Sequence, residues 1–512
     1  MTMILPVNGG PVLSVPPATG ISGPVDFHFS DRGFTTLAVD ATLPNRHFAP
    51  RVLDPLTIER SLPLNPFSGS RVLLQLGSMA LVNGDGGLDG FLRDYPIDGR
   101  DVEIKIGRPD FAYADFATLF KGTARSRRAS GRRDVGFELR DITWRLEKPA
   151  QTNLFLGTGG LNGGPEIKGA PRPFCYGGCL NVTPTLVSAS QLIFQANDGA
   201  TRRIIAVYDR GLALTYAGDV ADITAAVVAA GTYVTQLSGG YFRLGAVPDG
   251  KVTCDVEGDA SFGTYVDKVA DIAFRLISLR GGLDDSNIDP ASFDLLRSNQ
   301  PAPVGIFVGS QTVSVAAVLD VLFAGIGAWW GPNRFDQIDC GRVEAPALRP
   351  KAYFNANQVL DYTWFDLPTS IDPPWYRAQV GYEHNWTPQD SDFAGGVTAE
   401  RRQFLAAEWR YAPWTDPVVQ TTHLRAQDAP PMPSLFQHEA DAQVEVNRLG
   451  ALWGTRRSAL RIVTKTQGYL RKLGETINLD LPVAPLVGGR NVFIIGQGIM
   501  AARNESTLDV MW

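Results

Sequence analysis

Short runs in which apolar and polar residues alternate recur along this chain, and no other feature limits its fold so strongly. In 474–482, "GETINLDLP", Thr476, Asn478 and Asp480 alternate with Ile477, Leu479 and Leu481. That is the period of two of a strand with one buried face. Pro482 ends the run, because proline has no N–H to give to a ladder. "DVEIKIG" sets Val102, Ile104 and Ile106 against Asp101, Glu103 and Lys105, and "ASGRRDVGFELRD" repeats the design with Val135, Phe137 and Leu139 after a glycine turn. "NVFIIGQGIM" and "STLDVMW" continue an antiparallel set to Trp512. Strands this short need many turns, and Gly 53 with Pro 35 in 512 residues supplies them. The expected fold class is mainly β with α insertions, multidomain.

At about 100–200 residues per domain the length allows roughly three or four. Residues 1–53, rich in proline and glycine without a sustained period, read as an extended N-terminal arm. Residues 54–147 read as the first β domain. Residues 148–262 open on "GTGGLNGGPEIKGAPRPF" and read as a loop-rich inserted β domain. Residues 263–345 read as a helical or α+β domain, with one helix capped by Thr264 and stopped at Gly281, a short one from Pro290, and one capped by Ser314 and ended by Gly331. Residues 346–512 read as the second β domain, with a helix over 436–453 whose Ala440, Val444 and Leu452 share a face.

Several function classes lack their residues. The formal net charge of −6 is too mild to draw nucleic acid or an acidic membrane surface. "MTMILPVNGGPVLSVPP" has no basic start and breaks at Pro6, unlike a secretory signal, and Val313 to Trp330 is too interrupted to span a membrane. His28, His47, His384, His423 and His438 stand singly, outside any ligand spacing. Cys175, Cys179, Cys254 and Cys340 are expected as free thiols, with a four-ligand zinc or iron–sulfur site requiring all of them to converge. "GDGGLDG" and "GTGGLNGG" lack the Lys-Ser/Thr of a phosphate loop, and the first lacks the spacing and glutamate of an EF-hand, which leaves calcium at Asp85 and Asp89 as a remote option. No Gly-x-Ser-x-Gly elbow occurs. The chain is expected to be no enzyme and to carry no cofactor.

The strongest local charge is "RSRRASGRR", with Arg125, Arg127, Arg128, Arg132 and Arg133 on a hairpin between two strands. It reads as a solvated turn or a subunit contact, with a lining that faces DNA in transit as a further option. Taken in order, "YPIDGRDVEIKIG" to "LFKGTARS", the glycine-rich insert to "CYGGCLNVTPTLV", "AAVLDVLFAGIGAWW", and "RAQVGYEHNW", "ADAQVEVNRL" and "LGETINLDLP" resemble the baseplate or tail-tip hub of long-tailed, siphovirus-like bacteriophages and of gene transfer agents. The resemblance covers most of 54–512. It implies a structural virion protein of the tail tip, assembled in the host cytoplasm, that adapts the tail tube to the tip, closes the channel and takes part in genome ejection. It also implies two tube-like β-barrel or sandwich domains per chain, with inserted domains between them, and a homotrimer in which they make a sixfold ring. The partners it implies are the distal tail protein, the tape-measure protein, other tip or fibre proteins, transient DNA and the host envelope. Some relatives hold an iron–sulfur cluster on closely grouped cysteines, from which the distance of Cys254 and Cys340 from the first pair departs. Ten tryptophans and long Gly/Pro loops suggest the alternative, an envelope-binding adhesin or a virion-associated enzyme that degrades polysaccharide or peptidoglycan. Such a binder would expose its aromatics in a groove.

Overall fold

The structure, a computed structural model, describes residues 2–9, 25–67, 69–129 and 133–512; for 2–9, 25, 54 and 126–129 the backbone alone is described. The chain is mainly β with α insertions, arranged as several sheets. A nine-stranded sheet holds Asp101–Gly107, Ala117–Ala129, Asp134–Arg140 and Met79–Val82 beside strands from the first fifty residues. The stretch expected as an arm, 1–53, contributes Thr2–Gly9, Val25–Ser30, Phe34–Thr35 and His47–Pro50 to this sheet: Thr2–Gly9 lies between Val25–Ser30 and Asp101–Gly107. Its partner Asp101–Gly107 buries Val102, Ile104 and Ile106, the side the alternation predicts.

Two five-stranded sheets follow. One runs from Thr201–Asp209 through Val252–Asp259 and Phe174–Val182 to Gly305–Val308, so a ladder joins the glycine-rich insert to the helical segment after it. Three helices come next. The first starts at Val269, not at Thr264, because 264–268 is held extended: Val304 N–H bonds to Asp267 O at 2.7 Å and Lys268 bridges Pro303. It ends in a π turn, Leu276–Arg280; Gly281 stays right-handed and Gly282, with φ +61°, makes the reversal that only glycine adopts easily. The short helix Pro290–Asn299 starts where expected. Ser314 caps Val315–Ala324 through its hydroxyl, which accepts from Ala317 N–H at 3.2 Å. That helix stops seven residues before Gly331, which lies in the strand Ala328–Pro332; a Cβ on Gly331 would stand 2.6 Å from Val72 Cβ. Gly331 serves close approach, not helix termination.

The last third holds a three-stranded sheet around Trp375–Tyr382, the helix Glu439–Trp453 and an eight-stranded closing sheet. The helix buries Ala442, Glu445, Val446, Leu449 and Trp453, while Ala440 and Val444 face solvent. The expected apolar face is corrected: Glu445 sits on the true one, held by Arg448 and Arg342. The largest core joins the helices to the closing sheet, and a second core under the nine-stranded sheet takes Ile58 together with Tyr469, Ile499 and Ala501. Among the described residues no helix is long and apolar enough to cross a membrane.

Candidate assembly surfaces

The closing sheet is drawn from both ends of the chain. Its ladder runs Tyr353–Asn355, Thr476–Asp480, Arg490–Met500, Glu505–Met511, Ala459–Thr464, Val359–Phe365. The two end strands are separated in sequence only by Ala356, Asn357 and Gln358, with Gln358 N–H bonded to Asn355 O at 3.0 Å. A link that short spans at most roughly 14 Å, whereas six flat strands would be about 24 Å wide. The sheet therefore curls until one chain segment, kinked at 356–358, bridges both ends. No ladder joins Tyr353–Asn355 to Val359–Phe365, so the expected barrel is a curled sheet and not a closed one.

The long strand Arg490–Met500 divides its far side between two partners. Residues 490–493 pair with Thr476–Asp480, and 496–500 pair with Thr57–Ser61, which in turn pairs with Leu73–Leu76. At this second level six strands lie side by side, all antiparallel. One row reads Leu73, Ser61, Gly496, Asp509, Arg461, Thr363, and the next reads Leu74, Arg60, Gln497, Leu508, Ile462, Tyr362. Arg60, Gln497, Leu508 and Ile462 are buried, so the second row is on the core face. At the start of Leu73–Leu76 the outer side is taken by Ala328–Pro332, with Val72 N–H on Trp330 O at 2.7 Å and Trp330 N–H on Ser70 O at 2.9 Å, whereas among the described residues no ladder occupies the outer side of Val359–Phe365. The latter is exposed at every residue from Leu360 to Phe365, with Tyr362 39% and Trp364 44% exposed although both lie on the core face. The strand carries a bulge between Val359 and Asp361, and the Asp361 carboxylate accepts from Tyr362 N–H at 2.8 Å, features that limit indiscriminate pairing at an edge.

Of the five arginines expected as a contact surface, two have side chains that can be placed. Arg125 is exposed, with Nη1 4.0 Å from Glu138 Oε2, and Arg133 is exposed while its carbonyl accepts from Asn83 N–H at 2.6 Å. Arg127 and Arg128 lie on the strand Ala117–Ala129, opposite Phe137 and Gly136, with their side chains undescribed; Arg132 lies outside the described residues. Asp85, the calcium option, is taken by Arg51, whose guanidinium donates at 2.9 and 2.8 Å and holds the carboxyl well below its usual range. Asp89 accepts from Asn83 Nδ2 at 2.8 Å.

Sequence distance hides one convergence. Phe174–Val182 pairs with Val252–Asp259, which brings Cys254 into the same small core as Cys175 and Cys179; Cys340 lies elsewhere, beside Ser292. All four are buried and unbridged. Burial pushes the Cys175, Cys254 and Cys340 thiols well up. Among the described residues no group of three or more His, Cys, Asp and Glu is placed to hold a metal ion.

A cavity of about 490 Å³ lies between the turn after Ser61, the end of Val315–Ala324 and the sheet around Trp375–Tyr382. Its wall is largely apolar, with Phe67, Trp386, Trp409 and Met432 in it, and its carboxylate, Glu445, is bound up by Arg448 and Arg342. His384 is stacked on Trp409, ring centroids 4.5 Å apart, and touches Trp386. Burial lowers its pKa, partly countered by Glu408 Oε1 at 3.3 Å. Between that lowered value and 6.5 the unfolded chain binds more protons, so this contribution is full above pH 6.5 and fades as pH falls. Thermal midpoints measured in steps from neutral to mildly acidic pH should fall more steeply for the wild type than for His384→Phe; parallel curves would refute the assignment.

No protein-family model matches the chain, and no curated protein matches it. Among solved structures it is similar to the tail protein from Neisseria meningitidis MC58, at 11% identity, 89% coverage of this chain, 91% of that one and TM-score 0.40. The 43 kDa tail protein of prophage MuSo2 from Shewanella oneidensis gives 9%, 91%, 94% and 0.38. A chain of the native gene transfer agent virion gives 14%, 67%, 84% and 0.42.

Proposed function

We propose that the protein is a structural component of a phage-like tail, a hub subunit that forms a homotrimeric ring at the tail tip. The tail setting comes from the ordered motifs of 54–512 and agrees with what the similar proteins from Neisseria meningitidis and Shewanella oneidensis are called; the ring comes from the chain itself. The observation that carries it is the six-strand antiparallel level of the closing sheet, assembled from residues 57–76 and 359–511, in which among the described residues no ladder covers the outer side of Val359–Phe365. Open apolar edges are tolerated where a neighbouring copy covers them. In this reading the ring joins the tube to the tip, closes the channel, meets the distal tail and tape-measure proteins and fibres, and passes DNA on ejection, with the host envelope at its far side. The arginine hairpin 125–133 would lie at a subunit or channel contact.

The adhesin or enzyme reading asks for aromatics exposed along a groove. Trp329, Trp330, Trp375, Trp453 and Trp512 are instead buried, and of the ten only Trp144 and Trp364 are exposed. Immunogold labelling of intact tailed particles tests the placement. Label confined to the tip end is the expected result, and label on the capsid, along the tube or on no particle would refute it.

A further inference from the structure

We infer that the protein binds a small monatomic anion of the halide class between Arg60 and Arg334, where its two main cores meet. One turn brings the two arginines together. Arg60 stands opposite Gln497 in the ladder between Thr57–Ser61 and Arg490–Met500, on the core face, and cross-strand neighbours are about 5 Å apart at Cβ. Gln497 Nε2 donates to Gly468 O at 2.9 Å and to Arg471 O at 2.7 Å, and Arg334 donates to Tyr469 O in the same turn. Arg60 thus reaches this turn through Gln497, and Arg334 reaches it directly. Asp339, on the strand Ile338–Arg342 that follows the loop of Arg334, completes the cluster.

Hydrogen bonding and charge both point to an anion. Arg60 and Arg334 are 4% and 7% exposed, and three of their N–H-bearing atoms, Arg60 Nε, Arg60 Nη2 and Arg334 Nη1, are buried with no hydrogen-bond partner among the described residues. Nε with Nη2 is the edge by which a guanidinium grips an anion in two places. Arg71 uses it on Asp320, Arg108 on Asp110 and Arg461 on Asp509, whereas at Arg60 the nearest carboxylate, Asp339, stands off at 3.8 Å. Asp339 is also one acid for two cations. Lys472 is taken by Asp289 at 3.0 Å and Arg471 by Glu475 at 3.5 Å, Asp336 has Arg145 and Lys121 as its cationic neighbours, and among the described residues no carboxylate pairs with Arg334. One positive charge is left over, and burial and then Arg60 lower the Arg334 guanidinium to about 10. Water would satisfy the N–H groups and leave that charge; an anion answers both. Three N–H groups suit a monatomic ion, because sulfate or phosphate would keep oxygens without donors.

The test melts the full chain in sodium chloride and sodium gluconate mixed at constant ionic strength, gluconate being too large to enter. The thermal midpoint should rise with chloride and level off, and bromide should act alike. An ion that binds only the folded chain multiplies the folded-to-unfolded ratio by one plus its concentration over Kd, about elevenfold at ten times Kd. Arg334→Met removes one cation, and Arg60→Met with Asp339→Leu removes the other together with its acid; both proteins should lose the chloride response. If Arg334→Met does not fold, the double variant decides alone. In crystals grown in bromide, an anomalous peak should stand beside Arg60 Nε and Arg334 Nη1. The site is overturned by a wild-type midpoint indifferent to chloride, by a rise that persists undiminished in the double variant, or by density between the two arginines without anomalous signal, which would be water only.

Discussion

Deletion of residues 474–512 is expected to unfold the chain, and not merely to prevent ring formation. The segment carries Ile477, Leu479, Val492, Phe493, Ile494, Leu508 and Val510, all buried in the largest core, and Ile499 and Ala501 of the core beneath the nine-stranded sheet. Seven large apolar side chains at about 1.5–3 kcal/mol each come to roughly 10–21 kcal/mol, an upper figure that still matches or exceeds a stability of about 5–15 kcal/mol. The loss also strips Thr57–Ser61 of its ladder partner, so damage passes to the first sheet. Expression of the truncated chain should give inclusion bodies or a product without a cooperative thermal transition. A soluble truncated monomer with a sharp transition would show that the two β bodies are independent.

The second large effect is expected at Asp339. Arg60 and Asp339 are 3% and 6% exposed at their side chains, and their charges stand 3.8 Å apart with Arg60 Nε and Nη2 lacking a hydrogen-bond partner. Burial pulls the guanidinium down and pushes the carboxyl up, so desolvation outweighs the attraction at both ends of the pair. Arg334 is close by, donates to Tyr469 O, and is lowered to about 10 by burial and then by Arg60. Asp339→Ala leaves two buried cations facing one another and should cost about 3–5 kcal/mol. Replacing both members, as Arg60→Met with Asp339→Leu, should recover most of that, because a buried pair contributes little net stability over apolar residues of similar size. Urea unfolding midpoints of the three proteins decide it. Equal losses in the single and double variants would mean that Asp339 acts through Ser292 or Lys472 and not through its charge on Arg60.

Much of the strand pattern was legible because alternation is written locally. Val102, Ile104 and Ile106 are buried where the period of two puts them, and so are Ile477 and Leu479. Ser314 could be found for the same reason, since a cap acts on a residue three positions away. Partner choice is not local. Nothing in "TIERS" states that it pairs with Gly496–Met500, and nothing near Cys175 announces Cys254. The helix Glu439–Trp453 misled for a physical reason: its buried stripe contains a charged residue, Glu445, which arginines from two elements satisfy, so the apolar period is broken at the point where the packing is tightest. The strands within 1–53 were missed because short strands broken by proline and glycine carry too little alternation to count.

The measurement that bears most directly on the central claim is a cryo-EM map of the intact tailed particle, resolved well enough to trace this chain. The account predicts copies related by a threefold axis around a channel at the tail tip. Six copies or a single copy, or a chain absent from the tail, would contradict it.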